Sequence, residues 1–224
     1  MKNIDKDLVQ REKTELIAII KQMLQQQPEL EWLLQTPVPT PSQRTKPVDP
    51  QIYRDQIAAT LSLADNPRNR KYRDEIKRRL SAIKATADAF AEHKDYTAAV
   101  TVYEVLVAEV LKHYNDYFDE YITFSLILYG CIDGLDSCFA GEEENQDLRL
   151  RVLQSLFAIY RFYTDSGMDL DEDIPGLLIG NTTPEERHII ASWVREAFSQ
   201  PKGAGYSFEH YNAFLAALER GNKR

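Results

Sequence analysis

The chain has 224 residues and a formal net charge of −8, from 35 acidic and 27 basic side chains, and 43% of its residues are hydrophobic. This length is sufficient for one domain, or two small ones, with a substantial hydrophobic core. The ordinary apolar content excludes a wholly disordered chain, and 9 glycines and 10 prolines are too few for a low-complexity or collagen-like protein. Apolar and polar residues nowhere alternate over a useful length, so we expect an all-α fold.

The first segment predicts an amphipathic helical arm over residues 1–35. Apolar residues recur at the three- and four-residue spacing of a helix within residues 5–27, among good helix formers, which favours a single helix there. Residues 36–50 then hold 5 of the 10 prolines. Proline removes an amide donor and biases the preceding residue to extended geometry. The sequence therefore predicts a proline-rich linker at 36–50, followed by an α-helical hairpin domain over 51–224.

Start and stop signals divide the second part of the chain into helices. Asp49 as N-cap and Pro50 as first helical residue predict the start of the first one. The helices expected after it cover 71–93, 96–117, 121–139, 145–165 and 207–220. Residues 167–180 are predicted as a loop, and Thr183 with Pro184 predicts the start of a helix immediately after it.

One pair of these helices carries a repeat-like pattern. Small residues such as Ala87 and Ala99 allow the two helices to approach closely, while Tyr96 and Tyr103 fill the space between them. The pattern resembles one tetratricopeptide unit, although residues 92–94 replace the glycine that is usual at the turn. Because no strict repeat period continues beyond it, we expect a stack of helical hairpins with degenerate repeats.

Two motifs near the end of the sequence carry a broader resemblance. Residues 173–187 contain the run Pro-Glu-Glu-Arg, and residues 191–197 read Ala-Ser-Trp-Val-Arg-Glu-Ala. From about residue 65 onward, the chain resembles the helical region that follows the zinc-binding module in bacterial SWIM zinc finger proteins. The CxC and CxH of that module are missing from this sequence. The resemblance therefore implies a helical fold, and it implies no metal, nucleic-acid or catalytic residue.

Each pattern of a catalytic or metal site in this sequence lacks some of the residues that the site requires. Cys131 and Cys138 lie about 10 Å apart along one helix face, which is too far for a disulfide, so we expect buried thiols. Glu185 and His188 match one half of a di-metal pattern that has no second copy. Residues 169–173 begin like a calcium loop but lack its later glycine and glutamate. The histidines are expected to be solvated near helix ends: His93, His113, His188 and His210. We therefore predict no enzyme activity, no metal and no cofactor.

Charge is distributed unevenly along the sequence. Residues 1–80 hold 15 basic and 11 acidic side chains, a net of +4, whereas residues 81–224 hold 12 and 24, a net of −12. A basic patch at the start of the helix over 71–93 predicts an anionic counterpart. The helix dipole opposes cations at that end, so we prefer an acidic surface of the same chain or of a partner protein, and keep a nucleic-acid backbone as the alternative. The patch consists of Arg68, Arg70, Lys71, Arg73, Lys77, Arg78 and Arg79.

An acidic and aromatic strip follows at the end of the helix over 96–117. Aromatic side chains bury a large area at interface cores, so the strip predicts a protein-interaction surface. Packing of the same rings in the core is the other interpretation. The strip consists of Tyr114, Tyr117, Phe118, Asp119, Glu120 and Tyr121.

These patterns together predict a cytoplasmic, non-enzymatic scaffold or adaptor that binds another protein through stacked helical hairpins. The first residues lack a signal-peptide pattern, and the longest apolar run, at 122–132, is too short to span a membrane. The arm over 1–35 is expected to dock on the body of the same chain, to pair with a second copy or to insert into a groove of a partner. A nucleic-acid-binding accessory protein is the alternative function, and an enzyme with an unfamiliar site is the third.

Overall fold

The computed structural model describes residues 4–26, 31, 34, 47–62, 70–115, 121–142, 144–168, 173–180, 182–199 and 206–221. These residues form ten α-helices and no strand, which confirms the all-α prediction. The helices are α1 (Ile4–Val9), α2 (Lys13–Gln26), α3 (Pro50–Leu61), α4 (Arg70–Glu92), α5 (Tyr96–His113), α6 (Tyr121–Gly141), α7 (Gln146–Ser166), α8 (Ile174–Gly180), α9 (Pro184–Ser199) and α10 (Tyr206–Gly221). The chain divides into two compact units, Met1–Val38 and Pro39–Arg224.

The first unit contains α1 and α2, where the sequence predicted a single helix. A turn separates them: the Arg11 N–H donates to the Leu8 carbonyl at 3.2 Å. The Glu12 carbonyl then accepts the Leu16 N–H at 3.0 Å and begins α2. No residue of α2 is buried. Because helices of this length depend on packing for most of their stability, a local turn is sufficient to interrupt the periodic pattern.

Two helices of the second unit begin where the capping residues predicted. The Asp49 carboxylate accepts the Gln51 N–H at 2.9 Å, and Pro50 is the first residue of α3. At α9, the Thr183 hydroxyl accepts the Glu186 N–H at 3.2 Å, while the Glu186 carboxylate accepts the Thr183 N–H at 2.9 Å. This reciprocal pair is a capping box. Both predicted helix starts are confirmed.

The central helix of the second unit is α5. It contacts α3, α4, α6 and α7, and 9 of its 18 residues are buried. Four neighbouring helices therefore cover about half of the residues of α5. Each helix from α3 to α9 also contacts the next helix along the chain. The second unit is therefore built from sequential helix neighbours around α5.

The hairpin of α4 and α5 closes through a tight turn. The Lys94 N–H donates to the Ala91 carbonyl at 2.9 Å, and the Asp95 N–H donates to the Phe90 carbonyl at 2.9 Å. This pair of bonds is a Schellman motif, which places Lys94 at φ 61° in the left-handed region usually occupied by glycine. The end of α7 uses the same motif with Gly167 at φ 63°.

The predicted loop over 167–180 contains the short helix α8, so that prediction is wrong for residues 174–180. Asp173 accepts the Gly176 N–H at 2.9 Å and starts the helix. Ile174 and Leu178 are buried and hold it against the core. Proline is compatible with a first helical turn, so Pro175 did not prevent a helix there.

In a second correction, α5 ends at His113, before the predicted position 117.

One described helix segment, Ile122–Gly141 of α6, is long and apolar enough by length and composition to cross a membrane. Within the fold, 50% of that segment is buried. Core helices of globular proteins have the same length and composition when neighbouring helices cover them. The segment therefore carries no assignment to a membrane.

Candidate functional site

The apolar face of α2 is the first candidate surface. Ile17, Ile20 and Met23 are 43%, 40% and 52% exposed, and their three-residue spacing places them on one side of the helix. Leu16 and Leu24 on the same side are half-buried. An amphipathic helix with an unburied apolar face is typical of a segment that binds another surface.

The acidic and aromatic strip is only partly within the described residues. Tyr114 is 2% exposed, and its hydroxyl lies 2.7 Å from the Ser125 hydroxyl. Its ring packs edge-on against Phe162 at 4.9 Å between centroids. Tyr114 is thus a core residue and is not part of an exposed surface, which corrects its assignment to the interaction strip. Tyr117, Phe118, Asp119 and Glu120, with the side chain of Tyr121, lie outside the described residues.

The basic patch of α4 is partly neutralised within its own helix. Arg78 donates to both oxygens of Glu75 at 2.7 and 2.8 Å, and Arg79 donates to the same carboxylate at 2.6 Å. Hydrogen bonding from Arg78, with a further contribution from Arg79, lowers the pKa of Glu75 to about 2. Arg73 and Lys77 are exposed. The remaining members, Arg68 and the side chains of Arg70 and Lys71, lie outside the described part of the chain. Binding of nucleic acid to this patch stays a prediction.

A polar cluster between α4 and α5, which we call the Asp88 cluster, consists of Lys84, Asp88 and Tyr103. The Lys84 ammonium donates to both Asp88 oxygens, at 3.0 and 2.9 Å. The Tyr103 hydroxyl donates to one of them at 2.5 Å. Burial, together with the bond to Asp88, raises the pKa of the Tyr103 hydroxyl far above its ordinary value. Tyr103 therefore remains a protonated donor at neutral pH.

Glycines of α6 make room for this cluster. A Cβ at Gly134 would lie 2.2 Å from the Tyr103 oxygen, and a Cβ at Gly130 would lie 2.2 Å from the Lys84 Cε. Two glycines one turn apart inside an apolar helix were the sequence signal for such a close approach. The side chains that lie over them, Lys84 and Tyr103, come from two other helices, and periodicity within one helix does not identify such partners.

A cavity of about 380 Å³ opens beside the Asp88 cluster, with walls from α4, α5 and α6. Besides the cluster, its lining includes Glu92 and Tyr96, together with Asp133, Gly134 and Ser137 of α6. Glu92 and Asp133 are exposed. The charged side chains in this lining are three carboxylates and one ammonium group. The cavity therefore has a formal charge of −2 when all of these groups are ionised. Sequence reasoning missed this site.

A second ion pair, between Arg149 of α7 and Glu186 of α9, is closed to solvent. The guanidinium donates to the two Glu186 oxygens at 2.7 and 3.0 Å, and each residue is 8% exposed. The guanidinium also lies over the Phe139 ring, 3.8 Å from its centroid. Burial acts to raise the pKa of Glu186, but hydrogen bonds from Arg149 and the Thr183 N–H outweigh it and lower the pKa. This pair connects α7 to α9, and both carboxylate oxygens of Glu186 already accept hydrogen bonds from Arg149.

The other residues singled out in the sequence are not brought together. Cys131 and Cys138 are free and buried, as predicted, and burial raises the pKa of each thiol to about 12. Asp173 caps α8, while Asp169 and Asp171 lie outside the described residues. His93, His188 and His210 are exposed, and His113 is half-buried beside Glu109. Within the residues that the structure covers, no group of three His, Cys, Asp or Glu side chains is arranged to hold a metal ion.

No protein-family model matches this chain, and no curated protein or solved structure shows significant similarity to it.

Proposed function

We propose that this chain is a non-enzymatic scaffold that binds another protein, with its N-terminal arm as a binding element. The observation that carries the proposal is the apolar face of α2, in which Ile17, Ile20 and Met23 share one side of a helix and none is buried. Covering such a face removes apolar area from water, which is favourable by about 25 cal/mol per Å². Insertion of an amphipathic helix into an apolar groove is a recurrent mode of protein recognition.

The proposal for the second unit is a stack of helical hairpins with one tetratricopeptide-like unit formed by α4 and α5. It is supported by the complete burial of Ala87 and Ala99, the small residues expected where the two helices approach, and by Tyr103, which is 1% exposed. The sequential contacts from α3 to α10 also fit a stack. Kinship with the helical region of SWIM zinc finger proteins and a cytoplasmic location remain proposals from the sequence motifs.

The test is a pair of charge insertions on opposite sides of α2. The double variant Ile17→Glu/Ile20→Glu places charge on the apolar face, while Ala18→Glu/Gln25→Glu adds the same charge to exposed positions on the other side. We expect binding of a partner protein, measured by co-purification and by mass in solution, to be lost in the first variant and retained in the second. If the two variants behave alike, the arm is not a binding element. Association of the purified chain with itself, lost in the same variant, would identify the partner as a second copy.

A further inference from the structure

We propose that the cavity between α4, α5 and α6 binds a short linear aliphatic diamine or polyamine. This inference does not depend on the arm, because the residues that carry it all belong to the second unit. A volume of about 380 Å³ lies within the range of small-molecule pockets, about 300 to 1,000 Å³. Three helices provide its walls, and the Tyr103 side chain of α5 lies close over Gly134 of α6.

Charge in the cavity favours a cation. Lys84 neutralises Asp88 through two hydrogen bonds, and Tyr103 donates a third bond to the same carboxylate. Glu92 and Asp133 then add two exposed negative charges to the lining, and within the described part of the chain neither carboxylate forms an ion pair. An anionic ligand would meet this net negative charge, whereas an ammonium group would be attracted to it. Hydrogen bonds between an ammonium group and a carboxylate are also among the stronger ones in proteins.

The arrangement favours an extended organic cation over a metal ion. Among the described residues, acidic side chains do not converge in a group of three that could surround a single ion. The two exposed carboxylates, Glu92 and Asp133, instead come from two different walls of the cavity, α4 and α6. Charges on two walls of a cavity match a ligand that has an ammonium group at each end of a flexible carbon chain.

An aromatic side chain supplies the remaining part of the recognition. Tyr96 of α5 is half-buried and lines the cavity, and an aromatic ring attracts an alkylammonium group. Its ring also offers apolar surface for the methylene groups between two charges. Carboxylates on two walls of the cavity, together with this ring, distinguish a diamine from a simple inorganic cation.

The experiment is calorimetric titration of the full chain with putrescine and spermidine at low ionic strength, with succinate as the anionic comparison. We expect both amines to bind with one-to-one stoichiometry and succinate not to bind. In Glu92→Gln/Asp133→Asn, the affinity should fall by about tenfold or more, since a hydrogen bond to a charged group is lost at each carboxylate. The control Glu196→Gln/Glu209→Gln removes two exposed carboxylates from α9 and α10 and should retain the wild-type affinity.

Three outcomes would overturn the proposal. The first is absence of binding at millimolar amine, and the second is an equal loss of affinity in both double variants, which would indicate nonspecific attraction to an acidic protein. The third is binding of a lysine-rich peptide at the cavity without binding of either amine, which would make the cavity part of a protein interface.

Circular dichroism of each variant checks that it is folded. Ser137→Trp, which fills the cavity from an exposed position, should abolish amine binding while leaving all carboxylates in place.

Discussion

Two contacts between a cation and a carboxylate use the same chemistry with different access to water. Arg149 and Glu186 are each 8% exposed and connect α7 to α9. In the Asp88 cluster, the side chains of Lys84 and Asp88 are 24% and 38% exposed, and a cavity lies beside them. A buried pair must stay complete, because a lone buried charge is costly. A partly exposed pair can exchange a partner for water or a solute at small cost. The first contact is therefore suited to holding helices together, and the second to receiving a ligand.

The largest expected effect is on the closed pair. Glu186→Gln leaves the Arg149 guanidinium buried without a counter-charge, which should lower the free energy of unfolding by about 3 to 5 kcal/mol. The melting temperature should fall by about 2 to 4 °C for each kcal/mol in a domain of this size. Thermal and urea denaturation measure both quantities. The matched control is Glu219→Gln, which breaks the exposed ion pair with Arg195 and should cost less than about 1 kcal/mol. Equal losses would contradict the difference drawn between buried and exposed pairs.

Lowering the pH should weaken the pair of Arg149 and Glu186, as Glu186→Gln does. The pKa of Glu186 is lower in the folded protein than its ordinary value of 4.5. The stabilisation from its charge is therefore complete above that ordinary value and is lost as the pH falls through the folded pKa. We expect the difference in unfolding free energy between wild type and Glu186→Gln to shrink from about pH 7 to about pH 3. A difference that stays constant over this interval would show that the ionised carboxylate is not what stabilises the contact.

The two contacts also differ in how much of them the sequence indicated. Thr183 and Pro184 predicted the start of α9, so the position of Glu186 in the first turn of that helix followed from the sequence. Its second role, binding Arg149 of α7, was not, because a pairing between residues so far apart in sequence has no local pattern. The Asp88 cluster was less predictable still, since it depends on a third helix that offers glycines to it.

Glycine positions in α6 provide the next effect in size. A Cβ at Gly134 would overlap the Tyr103 ring, which is fixed in the core, so Gly134→Ala should destabilise the protein by about 1 to 3 kcal/mol. A Cβ at Gly130 would meet only the flexible end of Lys84, which can move aside. Gly130→Ala should therefore be neutral, or stabilising by up to about 1 kcal/mol through helix propensity. Urea denaturation of both variants tests whether an added methyl group is costly at Gly134 and tolerated at Gly130.

The smallest effect is expected at the partly exposed pair of Lys84 and Asp88. Lys84→Gln removes a partly exposed ion pair between residues one turn apart on α4, and such pairs contribute about 0.3 to 0.5 kcal/mol. Tyr103 still donates to Asp88 in this variant, so the carboxylate stays hydrogen-bonded. Urea denaturation should show a change near the limit of measurement. A loss as large as that of Glu186→Gln would show that the two contacts are equivalent in energy despite their different exposure.

Helices were more predictable than the surfaces that they form. Caps such as Asp49 and Thr183 act locally, so the starts of α3 and α9 could be read from neighbouring residues. The short helix α8 was missed because its seven residues offer too few periodic positions, and its stability comes from burial of Ile174 and Leu178 against other elements. Tyr114 was ambiguous for the same reason: an aromatic residue at a helix end fits a core and an interface equally well until its neighbours are known.

The turn at Lys94 has a practical consequence for these experiments. A residue other than glycine in the left-handed region is strained by about 1 kcal/mol, so Lys94→Gly offers a way to recover stability without changing any side chain that lines the cavity. The same motif already has its glycine at position 167. A chain that carries Lys94→Gly would thus serve as a parent background in which disruptive cavity variants stay folded long enough for their ligand affinity to be compared.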